Sequence, residues 1–223
     1  NTPPGQHIVL ACGAWTSDLV KTIGARIPMQ AGKGYSLTLD QPRELPELCS
    51  ILSEAKVAVT PINGQLRFAG TMEVCGNDLS VNKRRVGGII RSAQKYFPSY
   101  QDEDFAGVEP WAGLRPCSPD GLPYIGRISG YSNLTVATGH SMMGLSMGPV
   151  TGKLVSELLG AGEPCLDIRR LDPLRFGWAG KRYLASDDWG FLKGEVSLPR
   201  YFIHQQSLLD NHPSNLLCVQ WLR

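Results

Sequence analysis

Between residues 111 and 152 the chain reads WAGLRPCSPDGLPYIGRISGYSNLTVATGHSMMGLSMGPVTG, two devices placed back to back. The first is a predicted strand, 111–115, that delivers Arg115 and stops at Pro116. A Ser-Pro-Asp-Gly turn follows, in which Pro119 presets φ and Gly121 is free to take φ > 0. A second short strand is expected over 122–128. The other device is an apolar, β-branched strand, 134–138, running into Gly139-His140-Ser141-Met142-Met143-Gly144 and then a helix to about residue 159. Strand, glycine loop and helix start together aim backbone N–H groups at a ligand, and the helix dipole there favours negative charge. Gly144, Gly148 and Gly152 are spaced four apart and share one helix face, open to a backbone or a flat ring. Pro149 belongs in a first turn, which predicts a helix start within 145–148. The same pattern also serves in proteins as a packing turn with no ligand, and glycine spacing alone does not separate the two.

These residues carry a family resemblance. W-A-G-L-R-P-x-S-P-D-G-x-P-x-I-G, followed by N-L-x-x-A-T-G-H and a glycine-bearing helix start, resembles the C-terminal part of the FAD-dependent D-amino-acid oxidoreductases, of D-amino-acid dehydrogenase and glycine-oxidase type. The resemblance runs over about 7–176. It implies that Arg115 binds a substrate carboxylate. It also implies that His140, Ser141, Met142, Met143, Gly144, Leu145 and Ser146 lie along the flavin, with Gly13, Gly113 and Gly139 close to the cofactor. Where the glycine-oxidase pattern has Arg-Asn before the last loop glycine, this chain has Met142-Met143, so Met142 is also expected beside the substrate and the substrate itself stays open. The implied cofactor is non-covalent FAD, because the attachment cysteine of sarcosine-oxidase relatives aligns with Gly113 and not with Cys117. The implied partner is a small amino-acid substrate, with the electron acceptor unspecified and room for peripheral membrane association of a full enzyme.

Bulk composition agrees with a globular domain. Among 223 residues, 22 basic and 20 acidic side chains leave a net charge of +2, with no long like-charge run, so nucleic acid is a poor partner. No apolar run approaches the ~18 residues of a membrane span. The six cysteines are scattered, without C-x-x-C or a nearby histidine cluster, which favours reduced thiols and a cytoplasmic protein.

In chain order, a strand over 7–11 leads through Cys12-Gly13-Ala14-Trp15 into a short helix to about residue 23, capped by Thr16 or Ser17 and closed by Gly24. The resemblance makes 1–24 a strand and helix re-entering an FAD domain. The opening βαβ unit with G-x-G-x-x-G has no counterpart here, since Gly32-Lys33-Gly34 lacks the third glycine. Residues 25–110 change texture to short strands at 27–30, 35–39, 57–60 and 65–72, with one helix at 85–96 whose face is Ile89, Ile90 and Ala93. The resemblance makes this sheet the substrate domain, in which Tyr35 could reach the substrate pocket or simply pack. Residues 111–176 return to the cofactor side, where Val150, Leu154, Val155, Leu158 and Leu159 form an amphipathic stripe. Residues 177–223 hold three of the five tryptophans, show no sustained period and match nothing in the family. The expected fold is α/β plus α+β: an incomplete FAD-binding domain without its N-terminal Rossmann βαβ unit, and an antiparallel-sheet substrate domain.

Flavin-dependent amine oxidation asks the protein chiefly for positioning. Arg115 suits a carboxylate clamp, being always charged and forked, although a strand arginine can equally pair with a surface carboxylate. His140 reads as a loop contact and not as a general base. No Ser-His-Asp or H-E-x-x-H arrangement supports a hydrolase or metalloenzyme. The expectation is therefore the C-terminal part of a D-amino-acid dehydrogenase, inactive as this chain alone. The alternatives are a glycine- or sarcosine-type amine oxidase, and a non-catalytic interaction module.

Overall fold

The computed structural model describes residues 7–160 and 162–176, together with the backbone of 216–219. Its elements, in order, are β1 (His7–Leu10), α1 (Thr16–Lys21), β2 (Gln30–Leu39), β3 (Ser50–Leu52), β4 (Val57–Ile62) and β5 (Gln65–Val74). Then come α2 (Lys83–Tyr96), β6 (Trp111–Cys117), β7 (Tyr124–Arg127), β8 (Leu134–Thr138), α3 (Gly144–Leu159) and β9 (Leu216–Val219). The chain divides into two units, Asn1–Gln30 with Pro116–Arg223, and Ala31–Arg115.

The first unit is built on a four-stranded mixed sheet of order β7-β8-β1-β9. β1 runs parallel to both β8 and β9, while β7 is antiparallel to β8. Parallel central strands are covered on both faces, which explains why β1 and β8 read as nearly unbroken apolar runs, IVL and LTVAT. Ile8, Leu10, Val20, Ile27, Tyr124, Leu134 and Val136 make the core. In the tail, whose structure the sequence left open, Leu216–Val219 is a strand of this sheet, pairing with β1 from His7 to Leu10. The remainder of 177–223 lies outside the described residues.

The second unit is a five-stranded sheet of order β3-β4-β5-β2-β6, antiparallel through its β3, β4, β5 and β2 pairs. α2 covers one face. Val86, Ile89 and Ala93 are its buried positions, with Ile90 only partly buried, and they meet Leu37, Val59, Leu66 and Phe68 across the core. Phe68 is ringed edge-on by Phe97, Tyr100 and Phe105 at 5.7–6.0 Å between centroids.

Several boundaries differ from the sequence reading for physical reasons. The strand expected at 27–30 is absent; Ile27 is buried in a loop, the Pro28 carbonyl accepts from the Tyr124 hydroxyl, and the strand begins at Gln30. Neither Thr16 nor Ser17 caps α1, because a 3-10 turn over Gly13–Trp15 feeds straight into it; Ser17 Oγ donates instead to the Ile27 carbonyl at 3.0 Å. α2 starts two residues early because the Asn82 side chain accepts from the Arg84 and Arg85 N–H groups. β6 does not stop before Pro116 but continues to Cys117, which an edge strand tolerates. β7 is shorter than 122–128, since the Leu122 and Pro123 carbonyls are taken by Arg175. α3 begins at Gly144, so Pro149 sits inside the helix and not in its first turn. The bond Pro149 cannot make belongs to the Leu145 carbonyl, on a turn where the Leu145 side chain is 97% exposed and water can substitute. The buried positions of α3 are Thr151 and Leu154, with Val150 exposed, so the apolar stripe is narrower than the sequence pattern.

Candidate functional site

In the first unit, β1 and β8 pair in parallel, so their carboxyl ends open on the same side, the side on which open α/β sheets receive ligands. Each strand leaves through a glycine in the left-handed region, Gly13 at φ +54° and Gly139 at φ +83°. The Thr138 hydroxyl donates to the Gly13 carbonyl at 3.0 Å and ties the two exits together. A side chain at Gly139 would be refused twice, by its φ and by the Tyr124 ring, 2.8 Å from where a Cβ would stand.

The loop after Gly139 is held by its backbone. The Ser141 N–H donates to the Pro116 carbonyl at 2.9 Å, Cys117 and His140 form an antiparallel bridge, and the Met143 N–H closes a turn on the His140 carbonyl at 2.9 Å. Ser141 itself takes φ +50°, a conformation non-glycine residues seldom adopt. The His140 ring lies 2.9 Å from Thr151 Oγ1 through Nε2, which anchors the loop to α3. Burial pushes the His140 pKa down, so the ring is neutral at pH 7. The first intrahelical bond runs from the Met147 N–H to the Met143 carbonyl, leaving the N–H groups of Gly144, Leu145 and Ser146 directed out of the helix start. Around them Met142 is 73% exposed and Leu145 97%, and among the described residues nothing stands within 4 Å of the positions that a Cβ on Gly148 or Gly152 would occupy. The helix start thus combines N–H groups outside the intrahelical ladder with exposed apolar side chains and open glycine positions. It suits a flat aromatic group carrying negative charge.

The Ser118–Gly121 turn has a structural task. The Ser118 hydroxyl donates to the Leu122 carbonyl at 2.7 Å, and Asp120 accepts from the Leu122 N–H at 3.1 Å. Arg175 grips Asp120 with both fork nitrogens at 2.9 and 2.8 Å and lies over the Tyr124 ring at 4.0 Å. The Arg175 guanidinium holds the Asp120 carboxyl down at about 2, against the opposing effect of burial. The sequence reading missed this residue, and its only local signal is a lone arginine between Pro173 and Phe176.

In the second unit, Arg115 lies half-buried on β6, with its guanidinium over the backbone of Gly34 on the neighbouring strand β2. Its Nη1 is 3.5 Å from the Gly32 carbonyl, the long limit of a hydrogen bond. The space a side chain at Gly113 would take is occupied by the Trp111 indole. Tyr35 is 1% exposed; its hydroxyl donates to Glu73 at 2.6 Å and accepts from the Asn82 N–H at 3.4 Å. Glu73 also meets Arg85 Nε at 3.3 Å, so Tyr35 joins β2 to β5 and the start of α2 in one polar cluster. The buried Lys33 ammonium beside it is satisfied by Asp78 at 3.0 Å and the Ser80 carbonyl at 2.8 Å. The sequence-named residues thus fall into two sets. Gly13 and 139–146 come together in the first unit, while Tyr35, Gly113 and Arg115 belong to the second.

Among the described residues no cluster of His, Cys, Asp and Glu could hold a metal ion, and no helix is long and apolar enough to cross a membrane. Of solved structures, glycine oxidase from Geobacillus kaustophilus is 27% identical with a TM-score of 0.66, covering 76% of this chain and 45% of that one. Iminodiacetate oxidase from Chelativorans sp. BNC1 (21% identity, TM-score 0.66, 76% and 46% covered) shares the fold. L-proline dehydrogenase from P. horikoshii (24%, 0.63, 76% and 46%) shares it as well. The chain therefore spans somewhat under half the length of the structures it resembles. Residues 1–158 match the family model described as "DAO: FAD dependent oxidoreductase", and the chain belongs to that family.

Proposed function

We propose that this chain serves the FAD-dependent oxidation of a small amino acid, with a D-amino acid as the substrate class. The observation that carries the reading is the pair of left-handed glycines, Gly13 and Gly139, and the loop opening α3 at the carboxyl ends of β1 and β8, where a flat, electron-accepting ring can lie against backbone. FAD, when bound, supplies the hydride-accepting ring. The residues fit that group on its ring side: Gly13, Gly139 and the open faces of Gly148 and Gly152 leave room, and the N–H groups at the start of α3 stabilise negative charge on the ring. His140 stays neutral and braces the loop through Thr151, so it is an anchor and not a base. Arg115 holds the substrate carboxylate and so orients the Cα–H. Because the sequence contains no G-x-G-x-x-G, this chain alone is expected to bind FAD weakly or not at all, and flavin assays use the chain joined to a dinucleotide-binding unit of that type.

A glycine-type amine oxidase is the second reading, favoured by the 27% identity to glycine oxidase and opposed by Met142-Met143 in the loop. Anaerobic bleaching of the visible flavin absorbance by D-alanine, glycine and sarcosine, in the flavin-loaded protein, separates them. Bleaching by D-alanine alone supports the first reading, bleaching by glycine or sarcosine supports the second, and bleaching by none refutes both.

A further inference from the structure

We propose that Gly34 is a positioning residue for Arg115: its missing side chain is the seat that fixes the guanidinium. The inference deepens the carboxylate-binding reading of Arg115 and rests on it for its functional meaning. A Cβ built on Gly34 stands 2.1 Å from Nη1, 2.4 Å from Nη2 and 2.6 Å from Cζ of Arg115. These three atoms are all inside contact distance, so a side chain at residue 34 displaces the guanidinium from its place over the strand, while the flexible arginine arm can give way without disturbing the backbone. Backbone freedom is not what this glycine supplies. Unlike Gly13 or Gly139, it does not adopt a left-handed φ, and alanine would be comfortable in its backbone. Space for the guanidinium is the remaining reason.

The surrounding sheet shows that the seat is built. β2 and β5 pair Lys33 with Glu73 and Tyr35 with Gly70, so Gly34 alone faces two residues, Thr71 and Met72. That is a β-bulge, a device that re-aims side chains near functional sites. It is held against local preference, because Thr71 is β-branched and sits at φ +64°. Directly beside it, Lys33 and Tyr35 are locked by the bonds to Asp78, Ser80 and Glu73. Residue 34 is thus pinned from both sides, and a guanidinium resting on it inherits that rigidity. A carboxylate clamp needs such placement, since a shift of about 1 Å at a reacting centre can cost as much as 100-fold.

The experiment uses the full chain for the NMR and thermal readouts, and the full chain joined to a G-x-G-x-x-G dinucleotide-binding unit and loaded with FAD for the kinetic ones, as wild type, Gly34→Ala, Arg115→Ala and the double variant. The Arg115 Nε–Hε NMR signal, identified by its loss in Arg115→Ala, should move in Gly34→Ala. KM for D-alanine and the inhibition constant of acetate should rise about 10-fold or more, while kcat changes less than about 3-fold. In the Arg115→Ala background the added Gly34→Ala change should cost nothing further in thermal midpoint or KM, because the clashing arm is gone. An unmoved signal in Gly34→Ala would overturn the proposal. So would a Gly34→Ala loss of equal size with and without Arg115, which would make the glycine a folding residue. If Gly34→Ala fails to fold while the double variant folds, the coupling is confirmed. Unchanged KM in Arg115→Ala would instead refute the carboxylate reading, with the NMR signal and the thermal cycle still deciding where the guanidinium sits.

Discussion

Arg175→Ala should destabilise the first unit by about 3 kcal/mol. Arg175 is only 11% exposed and Asp120 33%, and two parallel N–H···O bonds of 2.9 and 2.8 Å join them. The same guanidinium satisfies the Leu122 carbonyl at 2.8 Å and the Pro123 carbonyl at 3.2 Å, and it covers the Tyr124 and Phe176 rings at 4.0 and 4.9 Å. Asp120 falls from 3.8 to about 2 in the folded state. That shift corresponds to roughly 2 kcal/mol once the partial exposure of the carboxylate is discounted. The lost stacking adds about 1 kcal/mol. For a chain of this size the sum corresponds to a fall of roughly 6–12 °C in thermal midpoint. The sign with pH follows from the depressed carboxylate: the contribution is complete above the unfolded value near 3.8 and is lost as pH falls towards 2. Arg175→Ala should therefore lower the midpoint at pH 7 and flatten its decline between about pH 5 and pH 2. Calorimetry across that range measures both effects. A loss under about 2 °C at pH 7, or an unchanged acid slope, would show that the clip between the turn and residue 175 contributes little.

Other outcomes follow from the site. In this chain joined to a G-x-G-x-x-G dinucleotide-binding unit, Arg115→Ala should lower kcat/KM for a D-amino acid by roughly 30- to 1000-fold with FAD content unchanged, and Arg115→Lys should recover only part of it, because an ammonium cannot form the two-point fork. His140 is held neutral by burial, so its contribution is complete above the unfolded value near 6.5 and is lost as pH falls below it. His140→Gln should accordingly reduce the drop in thermal midpoint between pH 7.5 and 5.5, leaving the share that belongs to His7, whose pKa is also lowered by burial. Gly148→Ala places a methyl where none of the described residues lies within 4 Å and replaces a poor helix former. It should raise stability by about 0.5–1 kcal/mol in urea unfolding while weakening FAD binding in a flavin-fluorescence titration. Unaltered FAD affinity would remove Gly148 from the cofactor site.

The elements legible in the sequence are those whose signal is local. The β-branched run of β8, the end of α2 ahead of Pro98, the turn at Gly24 and the loop opening α3 each follow from side-chain period or backbone restriction within a few residues. Arg115 and the 139–146 loop stood out for the same reason, because their motifs are contiguous. The tertiary structure decided what depends on chain segments far apart in sequence. Asp120 became a clip only by meeting Arg175, 55 residues away, and Thr151 became the loop's anchor only by meeting the His140 ring. Pro149 is tolerated inside α3 because the turn carrying its lost bond faces solvent, which local helix rules do not register. Tyr35 sits on a strand that the sequence signalled, yet its hydroxyl was assigned by Glu73 across a bulged register. Helix and strand propensities act through neighbouring dihedrals, so a sequence carries them openly. Hydrogen-bond partners, ion pairs and the space above a glycine are set by which strands become neighbours, and that is decided only when the sheets form.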